Sequence, residues 1–214
     1  MCFKNDQVSE GETLRILELA RECLSVPGDF VEFGCYRGDT SLMLAEMLQD
    51  DVSSCGKPVE KNVDELWESS GKAERNGGEP AKKLWIYDSF EGLPEKSVFD
   101  ESVLGEDFKR GELFVSKREV KERFLRAGLP VPRIVKGWFC DLGESDLPSL
   151  ISFAFLDGDF YESIRDSLRL VGPRMSRGGV IVVHDYTNPA LPGVRKAVEE
   201  GKGKLGEGVR VVGM

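Results

Sequence analysis

The chain of 214 residues carries a formal net charge of −9, with 40% hydrophobic and 31% charged residues, which suits one α/β domain, 1–214, with an ordinary core. The acidic balance argues against a general nucleic-acid binder, which presents a basic face, and no apolar run approaches the length of a membrane span. Cys2, Cys23, Cys35, Cys55 and Cys140 form no CxxC pair and the N-terminus has no signal-peptide core, so reduced thiols and a cytoplasmic location are expected.

Residues 9–25 read as an amphipathic helix. Ser9 and Glu12 make a capping box, and Leu14, Leu17 and Ala20, with Ile16 and Leu24, supply an apolar stripe. This helix covers the sheet edge or forms a lid over a ligand; the residues leave both open. Pro27-Gly28 ends it. Asp29 to Ser41 then reads as a buried strand, a glycine turn between Gly34 and Gly38, and a helix through the apolar run Leu42 to Leu48. That corner is where an open α/β sheet binds a nucleotide-like ligand. It is not the dinucleotide fingerprint. The third glycine is missing, and Glu32, two residues before the first, would repel a pyrophosphate. A carboxylate there suits a cationic amino-acid cofactor, so S-adenosylmethionine is favoured over a nicotinamide dinucleotide. The polar stretch 51–83, with a short helix from Val59 to Trp67, reads as a mobile insertion, either a functional flap or a tolerated surface excursion.

Leu84 to Asp88 is a second buried strand ending in an acid, the position that accepts hydrogen bonds from ribose hydroxyls in nucleotide-binding α/β folds. A capping role for Asp88 is the alternative. Residues 95–116 form a long loop whose Phe99, Phe108 and Phe114 either shape an acceptor pocket or anchor the loop. Ser116 to Ala127 is a helix with a second capping box, Ser116 and Glu119, and a Gly128 C-cap. Arg133 to Trp138 is a short strand and its exit. Ile151 to Leu156 is a strand ending in Asp157-Gly158-Asp159. Gly179 to Val183 is a strand ending in His184-Asp185. Tyr161 starts one helix and Val194 to Glu200 forms another, and Val209 to Val212 is a last strand. The carboxyl ends of neighbouring parallel strands share one crevice, so the two acids and the His-Asp pair are expected to meet there. His184, the single histidine, is open to three roles: metal ligand, general base or a strand-end cap.

Several ordered motifs resemble the macrocin/mycinamicin O-methyltransferase family of S-adenosylmethionine-dependent sugar O-methyltransferases. They are Val31-Glu32-Phe33-Gly34-Cys35-Tyr36-Arg37-Gly38, Asp88-Ser89-Phe90-Glu91-Gly92-Leu93-Pro94, Phe108 to Phe114, Val120 to Phe124, Gly137-Trp138-Phe139, Leu156 to Ser163 and His184-Asp185-Tyr186. The resemblance runs from about Pro27 to Glu200. It implies a Rossmann-like class I methyltransferase fold, with a mostly parallel central sheet covered by helices on both faces. Against the seven strands of that fold, the chain reads as one C-terminal strand short.

The resemblance implies S-adenosyl-L-methionine as cofactor, contacted by Glu32, Gly34, Tyr36, Arg37, Gly38, Thr40, Asp88, Ser89, Gly137, Trp138 and Asp157. It implies a divalent cation, Mg²⁺ or Mn²⁺, on Asp157, His184 and Asp185, with His184 and Asp157 as the catalytic groups. The family usually has two acids in the 184–185 place, so His184 is a departure, and imidazole suits Mn²⁺ better than Mg²⁺. Asp159 is a further ligand or an acceptor contact. The expected partner is a small hydroxylated acceptor, with no nucleic acid and no membrane and with a homo-oligomer left open. A cofactor-binding module without transferase activity is the alternative reading.

Overall fold

The computed structural model describes residues 7–54, 81–105 and 108–214. Most of the expected insertion, including the helix expected from Val59 to Trp67, lies outside them. Among the described residues six strands form one sheet: β1 (Asp29–Phe33), β2 (Leu84–Asp88), β3 (Arg133–Lys136), β4 (Ile151–Leu156), β5 (Met175–Val183) and β6 (Arg210–Gly213). Their order is β3-β2-β1-β4-β5-β6, and every neighbouring pair is parallel. The switch in strand order falls between β1 and β4, so a crevice opens beyond their carboxyl ends. Among the described residues five α-helices flank the sheet, α1 (Glu10–Glu22) ahead of β1 and then α2 (Asp39–Ser54), α3 (Lys117–Ala127), α4 (Tyr161–Val171) and α5 (Pro192–Gly201) between the strands.

The strands are apolar on both sides because helices cover both faces. One core holds Ile16 and Leu19 of α1, Leu44 of α2 and Phe124 of α3 against Phe30, Phe153, Phe155, Val180 and Val182. The other holds Ile164 and Leu168 of α4 and Val194 of α5 against Val31, Phe33, Ala154, Leu156, Ile181 and Val183. Successive residues of β1, β4 and β5 thus alternate between the two cores, as the pleat requires.

Local chemistry explains the helix limits. Both capping boxes form: Ser9 and Ser116 accept from the amides of Glu12 and Glu119, whose side chains reach back to the cap amides. Gly128 ends α3 at φ 68°, a left-handed value that glycine adopts at little cost. Two expectations change. The buried stripe of α1 is Ile16, Leu19 and Ala20, while Leu14 is 57% exposed, because the 3.6-residue period places it off the face that meets the sheet. Strand β5 begins at Met175, upstream of Gly179, because Met175 already pairs with Ile151 before the ladder shifts register. The last strand forms as expected and pairs parallel with β5.

Candidate active site

The strand alternation decides which side chains enter the crevice. Phe153 and Phe155 face the α1–α3 side, so the next residue in phase is Asp157. Val180 and Val182 face the same side, so the next is His184. Both continue the ladder: the Asp157 amide donates to Phe33 O at 2.8 Å and the His184 amide to Leu156 O at 3.0 Å. Glu32, in phase with Phe30, lies on this side too.

His184 Nδ1 stands 3.1 Å from Asp157 Oδ1 and 3.0 Å from Asp185 Oδ2. Its Nε2 points toward Glu12 Oε1 of the α1 capping box, 3.9 Å away. Asp185 Oδ1 accepts from Asn188 Nδ2 at 2.7 Å, and Asp185 itself adopts φ 58°, which turns its carboxylate back onto the imidazole. One ligand atom from each of Asp157, His184 and Asp185 lies within 4.8 Å of the others. Adjacent ligands of an octahedral ion with bonds of about 2.1 Å are about 3.0 Å apart, so the donor set and its spacing fit a divalent cation. Burial disfavours the charged imidazole, but the charges and hydrogen bonds of Asp157 and Asp185 outweigh it and push the His184 pKa up to about 11. Burial likewise works against ionised Asp185, yet the bonds from His184 and Asn188 hold its pKa below the usual value. Asp159 is partly buried at φ 58° and lies outside the three-residue cluster. Burial and the nearby charges of Asp157 and Asp185 raise its pKa well above the carboxylate range.

These groups floor a cleft of about 230 Å³ whose lining includes Gly34, Tyr36, Asp88, Ser89, Trp138 and Asp159. Asp88 is anchored by backbone: Oδ2 accepts from the Cys35 and Tyr36 amides at 2.9 and 3.2 Å, and Oδ1 from the Phe90 amide at 2.7 Å. The carboxylate thereby holds the glycine turn beside the cleft and keeps one free lone-pair direction, on Oδ1. Ser89 is used locally, donating to Gly92 O and accepting from the Glu91 amide. A smaller adjoining hollow is lined by Glu32, Gly34, Tyr36, Arg37, Thr40 and Asp157, among others. Glu32 is 1% exposed and accepts from Ser41 Oγ. Burial raises its pKa to about 8, against the lowering effect of that bond. A buried acid of this kind fits the ammonium group of an amino-acid cofactor, which would favour its ionised form.

The structure brings together Glu32, Gly34, Tyr36, Arg37, Thr40, Asp88, Ser89, Trp138, Asp157, His184 and Asp185. Gly38 and Gly137 line neither hollow. Gly38 packs on Val120 at φ 77°. Gly137 donates its amide to Asp88 O at 3.0 Å, and its nearest neighbour on the side-chain face is Leu142. Gly34 has a backbone duty: at φ 85° an added Cβ would lie 1.9 Å from the Asp157 carbonyl oxygen, so β1 and β4 can leave the sheet side by side only with glycine there. Of the loop aromatics, Phe108 lines the cleft, whereas Phe99 and Phe114 are 42% and 61% exposed. Sequence reasoning missed Gln7, which lines the cleft, and Glu12 as a neighbour of His184. The capping box hid the second, because it already accounts for the residue.

The macrocin-O-methyltransferase (TylF) family model matches residues 72–206. A tetracenomycin-C rhamnosyl 4′-O-methyltransferase of Streptomyces olivaceus is 31% identical over 85% of this chain and 60% of its own length. Demethyldecarbamoylnovobiocin O-methyltransferase of Streptomyces niveus is 28% identical over 90% of this chain and 67% of its own. Mycinamicin III 3″-O-methyltransferase of Micromonospora griseorubida is 27% identical over 85% and 63%. The chain thus spans about 60% of the first relative's length. Among solved structures, the O-methyltransferase NovP superposes with a TM-score of 0.67 at 25% identity, covering 90% of this chain and 71% of that one. The calicheamicin methyltransferase CalS11 shares the fold, with a TM-score of 0.64 at 19% identity, covering 94% and 74%. With the expected motifs, the parallel sheet and a family match over most of its length, the chain belongs to the TylF macrocin-O-methyltransferase family.

Proposed function

We propose that this chain transfers a methyl group from S-adenosylmethionine to a hydroxyl of a small molecule or sugar, assisted by a divalent cation. The observation that carries the reading is a single cleft that joins Asp88, at the end of β2, to the Asp157, His184 and Asp185 cluster at the ends of β4 and β5. The bound cofactor supplies an electrophilic methyl on a sulfonium, and the cation supplies charge that acidifies a hydroxyl. The protein's part is positioning and proton removal.

Glu32 holds the cofactor's amino-acid end, Asp88 its ribose, and Trp138 flanks the ring system. Asp157, His184 and Asp185 hold the cation. His184 is a poor general base in this setting. Holding the cation would commit its Nδ1 lone pair to the ion between the two carboxylates, leaving none to take a proton. Asp159 fits the task better. Its carboxyl lines the cleft and accepts no hydrogen bond among the described residues, so it is placed to take the proton of the acceptor hydroxyl.

Titration calorimetry with S-adenosylhomocysteine, with and without Mn²⁺, tests the reading. Micromolar binding, about −8 kcal/mol, supports it and leads to methyl-transfer assays on hydroxylated acceptors. Absence of binding under all metal conditions would overturn it.

A further inference from the structure

Helix α4 begins immediately after the Asp157-Gly158-Asp159 turn, yet its own N-cap residue is Phe160, which offers no side-chain acceptor. The acceptor comes from elsewhere. Asp100, 61 residues upstream in the loop between β2 and α3, is fully buried and takes the Tyr161 amide on Oδ1 at 2.7 Å. Its Oδ2 accepts from the Ser97 amide at 2.9 Å and from Ser97 Oγ at 2.6 Å. A carboxylate at a helix N-terminus satisfies an otherwise orphaned donor and sits favourably in the helix dipole.

The surrounding packing is built around it. A Cβ on Gly193, in the first turn of α5, would lie 1.8 Å from Asp100 Oδ1, so only glycine leaves room for the carboxylate. The same loop is fastened to the segment after Asp185. Ser102 Oγ donates to Pro189 O at 3.0 Å, and Gly105 presses so closely on Ala190 that a Cβ would come within 2.2 Å of its carbonyl oxygen. The Phe99 ring packs on Tyr161 at 4.6 Å. The segment 96–105 therefore bridges the two loops that carry the acidic cluster, and it joins two walls of the cleft, Leu93 on one side and Phe108 on the other.

We propose that Asp100 is a positioning residue: by capping α4 from a distance it locks the 96–105 loop to the Asp157–Asp159 turn, so that the cleft wall and the cation-holding acids form one unit. The lock itself stands on the contacts above. Its effect on cation binding rests on the function proposed in the preceding subsection.

Hydrogen–deuterium exchange on the full chain, paired with Mn²⁺ binding followed by electron paramagnetic resonance, tests both parts. In Asp100→Ala, exchange in segments 157–164 and 96–105 rises at least tenfold while β1 keeps its protection. Asp100→Asn, which retains an acceptor oxygen, stays within threefold of the wild type. Mn²⁺ affinity falls about tenfold in the alanine variant and recovers in the asparagine variant, although no ligand has been touched. If Asp100→Ala fails to fold, Gly193→Ala, which displaces the carboxylate, shows the same pattern. Unchanged exchange in 157–164, or a rise equal throughout the chain, would overturn the lock. Should the wild-type protein bind no Mn²⁺, the cation assignment fails, and the exchange result still decides the role of Asp100.

Discussion

His184 Nδ1 and Asp157 Oδ1 lie 3.1 Å apart although the residues are 27 positions apart and follow different strands. The parallel register of β4 and β5, which sets Leu156 beside Val183, brings them together one residue later. With Asp185 Oδ2 at 3.0 Å from the same nitrogen, the cluster is expected to bind Mn²⁺ through both acids. Asp157→Ala and Asp185→Ala each lower Mn²⁺ affinity at least tenfold and leave S-adenosylhomocysteine affinity within threefold, measured by paramagnetic resonance and calorimetry. Normal Mn²⁺ binding by both variants would remove the cation from this site.

The imidazole sets the metal preference. A nitrogen donor favours Mn²⁺ over Mg²⁺, whereas an all-carboxylate set favours the harder ion. His184→Asp is therefore expected to raise the Mg²⁺:Mn²⁺ affinity ratio severalfold, read from competition titrations. An unchanged ratio would mean that His184 is not a ligand.

Glu32 gives a pH signature. Burial pushes its native pKa up to about 8, above the ordinary glutamate value of 4.5. Below about pH 4.5 both native and unfolded states hold the proton. Between about 4.5 and 8 only the native state does, so stability falls as pH rises, and the loss is complete above about 8. Glu32→Gln removes this trend. Relative to the wild type it is expected to gain a few kcal/mol between pH 5 and 9, measured by urea unfolding. Cofactor binding at pH 7 is expected to expel a proton from Glu32, which calorimetry in buffers of different ionisation enthalpy detects. Parallel pH–stability curves for the two proteins would contradict the assignment.

Two glycines of similar backbone geometry separate strain from crowding. Gly34 and Gly111 have φ of 85° and 82°, but an added Cβ meets the Asp157 carbonyl at the first and open space at the second. Gly111→Ala is expected to cost about 1 kcal/mol, from the left-handed conformation alone. Gly34→Ala is expected to cost 3 kcal/mol or more in order of magnitude, because β1 and β4 must separate. Equal unfolding midpoints would show that the two strand exits are free to part.

The elements that alternation and capping chemistry specify were legible in the sequence. Ser9 and Glu12 announce α1, Ser116 and Glu119 announce α3, and the runs ending in Asp88, Leu156 and Val183 announce their strands. The convergence of Asp157, His184 and Asp185 followed from strand order together with the shared crevice of a parallel sheet. What was not legible depends on contacts between distant segments. No local pattern links Asp100 to Tyr161, and the only trace is a helix whose N-cap position holds phenylalanine. The face of α1 was misread at Leu14 because Leu14, Ile16 and Leu17 offer competing stripes, and the sheet decides among them. Gly34 carries a turn signature, but its contact with the Asp157 carbonyl needs the β1–β4 pairing, which no spacing reveals.

Strand β1 lies inside the sheet and pairs with β2 on one side and β4 on the other. During synthesis its first flank is available once Asp88 has emerged, but its second waits for Leu156, more than a hundred residues after β1 itself. Until then Phe30, Val31 and Phe33 belong to a strand with one open edge, and Glu32 lacks the enclosure that the finished crevice provides. Long-range parallel pairing of this kind makes folding slow and leaves the nascent chain open to association. The glycine corner at the end of β1 is thus encoded early in the chain and assembled late, when β4 docks and carries Asp157 into place.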